Sequence, residues 1–212
     1  MSDLLLENRD YTIIIAKTAE SPLAPPVPGF ANRWAAAHDA ILALAKKCEE
    51  FDPDGITVYI SSTASDQGSF QQYKQVKMEE LPKIFNDNYP PHTLNLLEGL
   101  QTALDDYFNR KAAGRAKANG ATIVVVIDGE PRDRMAIVKT IVSAAEKLDS
   151  DQELGIGFAQ IGEDIIARGF LESLDDDLRA KAGAKFDIVA TRVLQEISPH
   201  CLTDFLQDII CD

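Results

Sequence analysis

Cysteine is scarce in this 212-residue chain, with only Cys48, Cys201 and Cys211 present. An odd count without a CxxC pair removes support for a disulfide framework and for a zinc knot. Histidine is equally scarce, and His38, His92 and His200 are scattered without metal-ligand spacing. No apolar run approaches the ~20 residues that cross a bilayer, so no membrane span is expected. Basic residues are outnumbered, 21 Lys and Arg against 34 Asp and Glu, for a net charge of −13. A surface of that sign repels phosphate backbones, and no basic stripe offsets it, so nucleic acid is not an expected partner. Enzyme signatures are missing too: there is no GxxxxGK[ST] loop, no GxSxG elbow and no HExxH pair. These absences favour binding over catalysis.

What is present reads as a globular protein, with 45% apolar and 26% charged residues. The length is within reach of one domain, expected over residues 1–212. Met1-Ser2-Asp3-Leu4-Leu5-Leu6-Glu7 lacks the basic start of a secretory signal, so the expected location is cytoplasmic.

Apolar patterning alternates between two periods. Tyr11 to Ile15, Ile56 to Ser61, Thr122 to Ile127, Leu154 to Ile161 and Phe186 to Ala190 are short β-branched or apolar runs of the kind buried in parallel sheets. Ser69 to Tyr73 adds an expected edge strand. Helical spacing follows Asn32, which is placed to cap a helix burying Trp34, Ala37, Ile41, Leu44, Cys48 and Phe51. Further helices are expected over Met78 to Asn86, with Pro82 in the first turn, and over Asn95 to Ala113, ended by Gly114. Others run from Asp133 to Leu148 with Met135, Val138, Ile141, Val142, Ala145 and Leu148 inward, from Ile165 to Leu174, and from Leu202 to Ile210. Strands alternating with helices predict an α/β fold, a doubly wound and mostly parallel sheet of six strands covered on both faces. Gly155 and Gly157 fall inside a strand and read as packing positions rather than a dinucleotide loop. Lys111, Arg115 and Lys117 read as a solvated basic helix end.

In such sheets ligands bind outside the carboxyl ends of the strands. Three loops can meet there: Ala16 to Ser21, Pro90 to Asn95, and Asp128 to Asp133. Between Ala19 and Phe30 lies a loop with Pro22, Pro25, Pro26 and Pro28. It reads either as a stiff connector or as a recognition segment presenting Leu23, Val27 and Phe30.

The string NRDYTIIIAKTAES resembles the first strand and metal-binding loop, usually Asp-x-Ser-x-Ser, of the von Willebrand factor A domain family. HTLNLLEGLQTAL resembles that family's threonine loop and helix, and TIVVVIDGEPRDR its strand and aspartate loop. The three motifs occur in the family's order and cover nearly the whole chain, closest to small cytosolic bacterial members. The resemblance implies a Rossmann-like fold and a protein-binding module. It also implies remnant metal-ligand positions at Thr18, Thr93 and Asp128. Ala16 stands where the first aspartate belongs, Glu20 replaces the second serine, and His92 replaces the usual glycine. Leu94 offers an alternative alignment at the threonine position. Magnesium prefers near-octahedral oxygen ligands including one or two carboxylates, so the loss at Ala16 implies weak magnesium binding or none. The alternative is a magnesium- or manganese-dependent module in which Glu20 or Glu130 replaces the missing carboxylate. The expected partner is a protein, by analogy a paralogue of the family or an ATPase or kinase of a multiprotein system, engaged through Leu23, Val27, Phe30, Glu20 and His92.

Overall fold

The computed structural model describes residues 3–19, 30–64 and 69–211. Six strands form one sheet: β1 (Asp10–Ala16), β2 (Ile56–Ser61), β3 (Phe70–Val76), β4 (Ala121–Ile127), β5 (Leu154–Gln160) and β6 (Val189–Val193). Their spatial order is β3-β2-β1-β4-β5-β6, and every pair is parallel except β2 with β3. The chain thus starts at the centre, winds out to one edge, returns and winds out to the other. This is the doubly wound arrangement, with its switch point between β1 and β4.

The central strands are continuous apolar runs because both their faces are covered. On one face lie α1 (Asp3–Leu6), α2 (Phe30–Phe51), α3 (Leu81–Asp87) and α7 (Leu202–Cys211); on the other lie α4 (Leu96–Ala112), α5 (Arg134–Ala145) and α6 (Ile165–Ala182). Side-chain alternation along β1 divides its residues between two cores. Ile13 and Ile15 pack with Trp34, Ile41 and Phe205, whereas Ile14 and Ala16 pack with Leu100, Ile137 and Phe158.

Several boundaries differ from the sequence expectation. α2 begins at Phe30, which leaves Asn32 inside the helix rather than at its cap. α6 continues eight residues past Leu174, because Leu178 extends the buried spacing of Leu171 and Leu174 through the Asp175-Asp176-Asp177 run. It stops at Gly183, whose φ of 76° closes a left-handed cap. β6 lies three residues later than expected: as an edge strand it tolerates half-exposed Thr191 and exposed Arg192, which the apolar-run criterion rejects. On α5 the buried face is Ile137, Ile141, Ala144 and Ala145, with Val138 and Val142 packed against the same core and Leu148 buried just beyond, while Met135, expected inward, is 65% exposed. The stretch MAIVKTIV is apolar at too many positions for periodicity to choose between those faces.

Gly155 and Gly157 form the floor on which α7 rests. A Cβ at Gly155 would stand 2.2 Å from the carbonyl oxygen of Ile209, and one at Gly157 would stand 2.3 Å from its Cδ1. Glycine there lets a helix backbone approach the sheet closely.

At the opposite end of the sheet from the strand tips, Arg9 is fully buried. Its guanidinium donates to Thr122 Oγ1 at 2.7 Å and to the carbonyls of Asn119, Ala121 and Gln152. Burial lowers its pKa to about 10. The basic residues near the end of α4 are not simply solvated: Lys111 pairs with Asp149 and Glu153, and Lys117 with Asp52 and Asp54. Cys48 lies in the core, and burial pushes its thiol pKa up.

Candidate functional site

The carboxyl ends of β1 and β4 lie side by side, Ala16 opposite Ile127 in the parallel ladder. Each strand empties into a loop at the same height, and the loop before α4 closes against them. Ala19 N–H donates to the Pro91 carbonyl at 2.8 Å, tying the loop after β1 to the loop before α4. Ser61 at the tip of β2 donates its hydroxyl to the Lys17 carbonyl at 2.5 Å. Asn95 caps α4, accepting from Glu98 N–H at 3.4 Å, and this places the first turn of that helix beside the cleft.

Together these loops enclose a small cleft of about 140 Å³ lined by Ala16, Thr18, His92, Thr93, Asp128 and Glu130, with Leu94, Pro131 and Arg132 completing the wall. The three segments singled out from sequence therefore converge. Thr18 and Asp128 are half-buried, whereas His92 and Thr93 are exposed. Leu94, the other candidate for the threonine position, also reaches the cleft but offers no oxygen from its side chain. Glu20, Leu23 and Val27 lie outside the described residues, as does the side chain of Phe30.

Among the described residues of the cleft, Asp128 carries the carboxylate that sits at a strand tip. Its Oδ2 accepts the indole N–H of Trp34 at 2.6 Å and, at a longer 3.4 Å, the hydroxyl of Thr18. A neutral N–H donating to an ionised carboxylate at this distance is a strong charge-assisted bond. Glu130 pairs with Arg134 in the first turn of α5. Asp133, at the N-cap of α5, makes no side-chain capping bond.

Trp34 is the residue the sequence reading missed. Its position on the helical stripe marked it as core, and it is buried, 6% exposed. Yet its polar tip reaches the strand-tip carboxylate, and the Lys17 ammonium lies 5.5 Å from its ring centroid. The sequence signal was the amphipathic character of indole, which when buried almost always finds an acceptor for its N–H.

The donor set at this cleft fits a tightly held magnesium ion poorly. Among the described residues it comprises the Asp128 carboxylate, already engaged by an indole N–H, the Glu130 carboxylate, paired with Arg134, two threonine hydroxyls and the His92 imidazole, with a methyl group at Ala16. Magnesium usually takes one or two carboxylates in near-ideal octahedral geometry. Among the described residues no group of three or more His, Cys, Asp or Glu is placed to hold a metal ion. No helix of the described residues is long and apolar enough to cross a membrane. Comparison of the chain with protein-family models and with curated proteins found no match to either.

Proposed function

We propose that this protein is a cytoplasmic protein-binding module of the von Willebrand factor A type. In this reading it engages a protein partner through the loops at the carboxyl ends of its strands, without an essential metal and without catalysing a reaction. The observation that carries this reading is the Trp34–Asp128 bond at 2.6 Å. The acidic group best placed to hold a cation serves an internal donor, while Glu130 serves Arg134. The loop arrangement is thereby fixed from within, and a preformed loop face lowers the ordering cost of binding. The strand order and the resemblance of the three loop motifs support the family assignment. By family analogy the partner is a paralogue with an intact Asp-x-Ser-x-Ser loop, or an ATPase or kinase of a multiprotein system.

A second reading is supported by the convergence of Thr18, Thr93 and Asp128 on one cleft. In that reading Glu20 supplies the carboxylate lost at Ala16, and binding depends on magnesium or manganese. Glu130 is the weaker substitute, because Arg134 already neutralises it.

Affinity purification from the native cell with quantitative mass spectrometry, with and without chelator, separates the two. The expected outcome is a partner retained in chelator and lost from Leu23→Asp, Val27→Asp and Phe30→Asp. Loss of that partner on chelation alone favours the metal-dependent reading, and unchanged capture by all three variants moves the interface off this loop.

A further inference from the structure

Next to the loop cleft, on the other side of Trp34, lies a larger groove of about 460 Å³. Its floor is apolar, formed by the buried Ile41 and Ile60. Three rings line it: Trp34, His38 and Phe85, the last two in tilted contact with centroids 5.0 Å apart. At its edge stands the Lys17 ammonium, 5.5 Å from the Trp34 ring centroid. Asn86, exposed, and Asn88 supply amides, although Asn88 already donates to Tyr73 Oη and the Ile84 carbonyl.

The composition suits a small molecule that is itself part apolar and part polar: a concavity of several hundred Å³ with an apolar floor and three rings, edged by Lys17, Ser61, Asn86 and Asn88. Its charge selects the ligand. In a chain of net charge −13 several cations near the ends of elements are neutralised by a carboxylate, as Lys111, Lys117, Arg110 and Arg134 are. Lys17 pairs with none among the described residues and instead lies over an aromatic face at the mouth of the groove. Asp39, the carboxylate nearest His38 at 3.5 Å, is 96% exposed and directed to solvent. A cation over a ring, with no competing carboxylate among the described residues, attracts an anion, and flat rings favour a flat ligand.

From this geometry we infer that the groove bounded by Lys17, Trp34, His38 and Phe85 binds a small planar aromatic carboxylate, its ring against the aromatic lining and its carboxylate on the Lys17 ammonium. Trp34 belongs both to this groove and to the bond with Asp128, so ligand in the groove acts on the same side chain that holds the loop cleft. The inference goes beyond the protein-binding reading and does not depend on it.

Trp34 is the only tryptophan, so a ¹⁵N-labelled sample gives a single indole cross-peak to follow. The probes are 2-naphthoate and its uncharged analogue 2-naphthylmethanol, with acetate as a charge-only control, each also titrated by calorimetry. The expected result is a saturable shift of the indole resonance by 2-naphthoate, with affinity at least ten-fold above that of the alcohol and no effect of acetate. Lys17→Gln is expected to abolish the advantage of the acid over the alcohol while leaving the alcohol's binding unchanged. Phe85→Leu, which keeps the groove apolar, is expected to weaken both aromatic probes several-fold. Equal binding of acid and alcohol, an undiminished advantage in Lys17→Gln, or no saturable shift overturns the proposal. The last outcome includes a groove already filled by residues 20–29 or by a second copy. None of these outcomes bears on partner capture, so the two proposals fail separately.

Discussion

Trp34→Phe keeps a ring on α2 and deletes the indole N–H that Asp128 accepts at 2.6 Å. Hydrogen bonds to charged groups contribute roughly 1.5–3 kcal/mol, more than a neutral pair, because the acceptor keeps a full charge that burial leaves partly unsolvated. For a domain of this size, thermal unfolding of the variant is expected about 3–10 °C lower. An unchanged melting temperature would mean that water satisfies Asp128 equally well, and Trp34 would be core and nothing more. The same bond shows where sequence reading reaches its limit. The residues of the cleft were legible as motifs: Thr18, Thr93 and Asp128 come to one place because each follows or precedes a strand or helix that the apolar pattern marks. Trp34 was legible as an apolar residue at helical spacing, but the direction of its N–H depends on how α2 packs across β1, and no local signal encodes that. Arg9 is a similar case. A lone arginine before a strand reads as surface, and acceptors more than a hundred residues away, Thr122 Oγ1 and the carbonyls of Asn119, Ala121 and Gln152, make its burial possible.

Among the elements, α7 depends most visibly on residues remote in sequence. Its Ile209 lies against the backbone of β5, where a side chain on Gly155 would meet the Ile209 carbonyl oxygen at 2.2 Å and its carbonyl carbon at 3.0 Å. Gly155→Val therefore has to push α7 off the sheet or distort β5. Overpacking in a closed core costs typically 1–3 kcal/mol, and here the displaced helix also carries buried Leu206 and Ile210. Chemical denaturation is expected to show a loss of at least 2 kcal/mol, with hydrogen exchange accelerated in α7 more than in α4. A loss confined to β5, with α7 still protected, would place the strain in the strand instead. Element existence was legible for the five parallel strands and for each helix of eight residues or more, which carry the apolar period their environment demands, whereas β3 was legible as a polar edge and the four-residue α1 was not expected. Ends were less legible where two signals compete. The Asp175-Asp176-Asp177 run looks like a loop, yet the spacing from Leu174 to Leu178 keeps α6 helical. The polar outer half of β6 is admissible because β6 is the edge strand of the sheet among the described residues.

At the scale of the whole molecule the net charge of −13 and the distribution of ion pairs set the response to acid. Asp106 is partly buried, which raises its pKa, but hydrogen bonds and the charges of Lys74 and Arg110 outweigh this and hold it below the usual value. Glu153 is shifted the same way: burial opposes ionisation, and Lys111, the Asp149 N–H and the Tyr107 hydroxyl overcome it. A carboxylate whose folded pKa is depressed stabilises the fold fully above its unfolded pKa, about 4. That contribution is lost as pH falls from there through the folded value. Stability is thus expected to decline below about pH 4.5, and Glu153→Gln, less stable at neutral pH, should show a shallower decline in melting temperature over that range. An identical slope would remove Glu153 from the acid response.

The same scale decides between a loop face that holds a cation and one that does not. If the loop after β1 is a metal loop that has lost its first carboxylate, Ala16→Asp with Glu20→Ser restores the family pattern beside Thr18, Thr93 and Asp128. Ligand at ten times Kd stabilises the folded state by about 1.4 kcal/mol. That corresponds to a melting shift of roughly 3–6 °C here. The measurement is the melting temperature of wild type and double variant with and without magnesium at matched ionic strength, because an acidic protein gains from screening by any divalent salt. The expected result is a magnesium-specific shift in the variant and a much smaller one in wild type, whose loop carries a methyl group at Ala16 in place of the first carboxylate. A wild-type shift as large as the variant's would contradict the account, because the cleft would then hold magnesium without the missing aspartate.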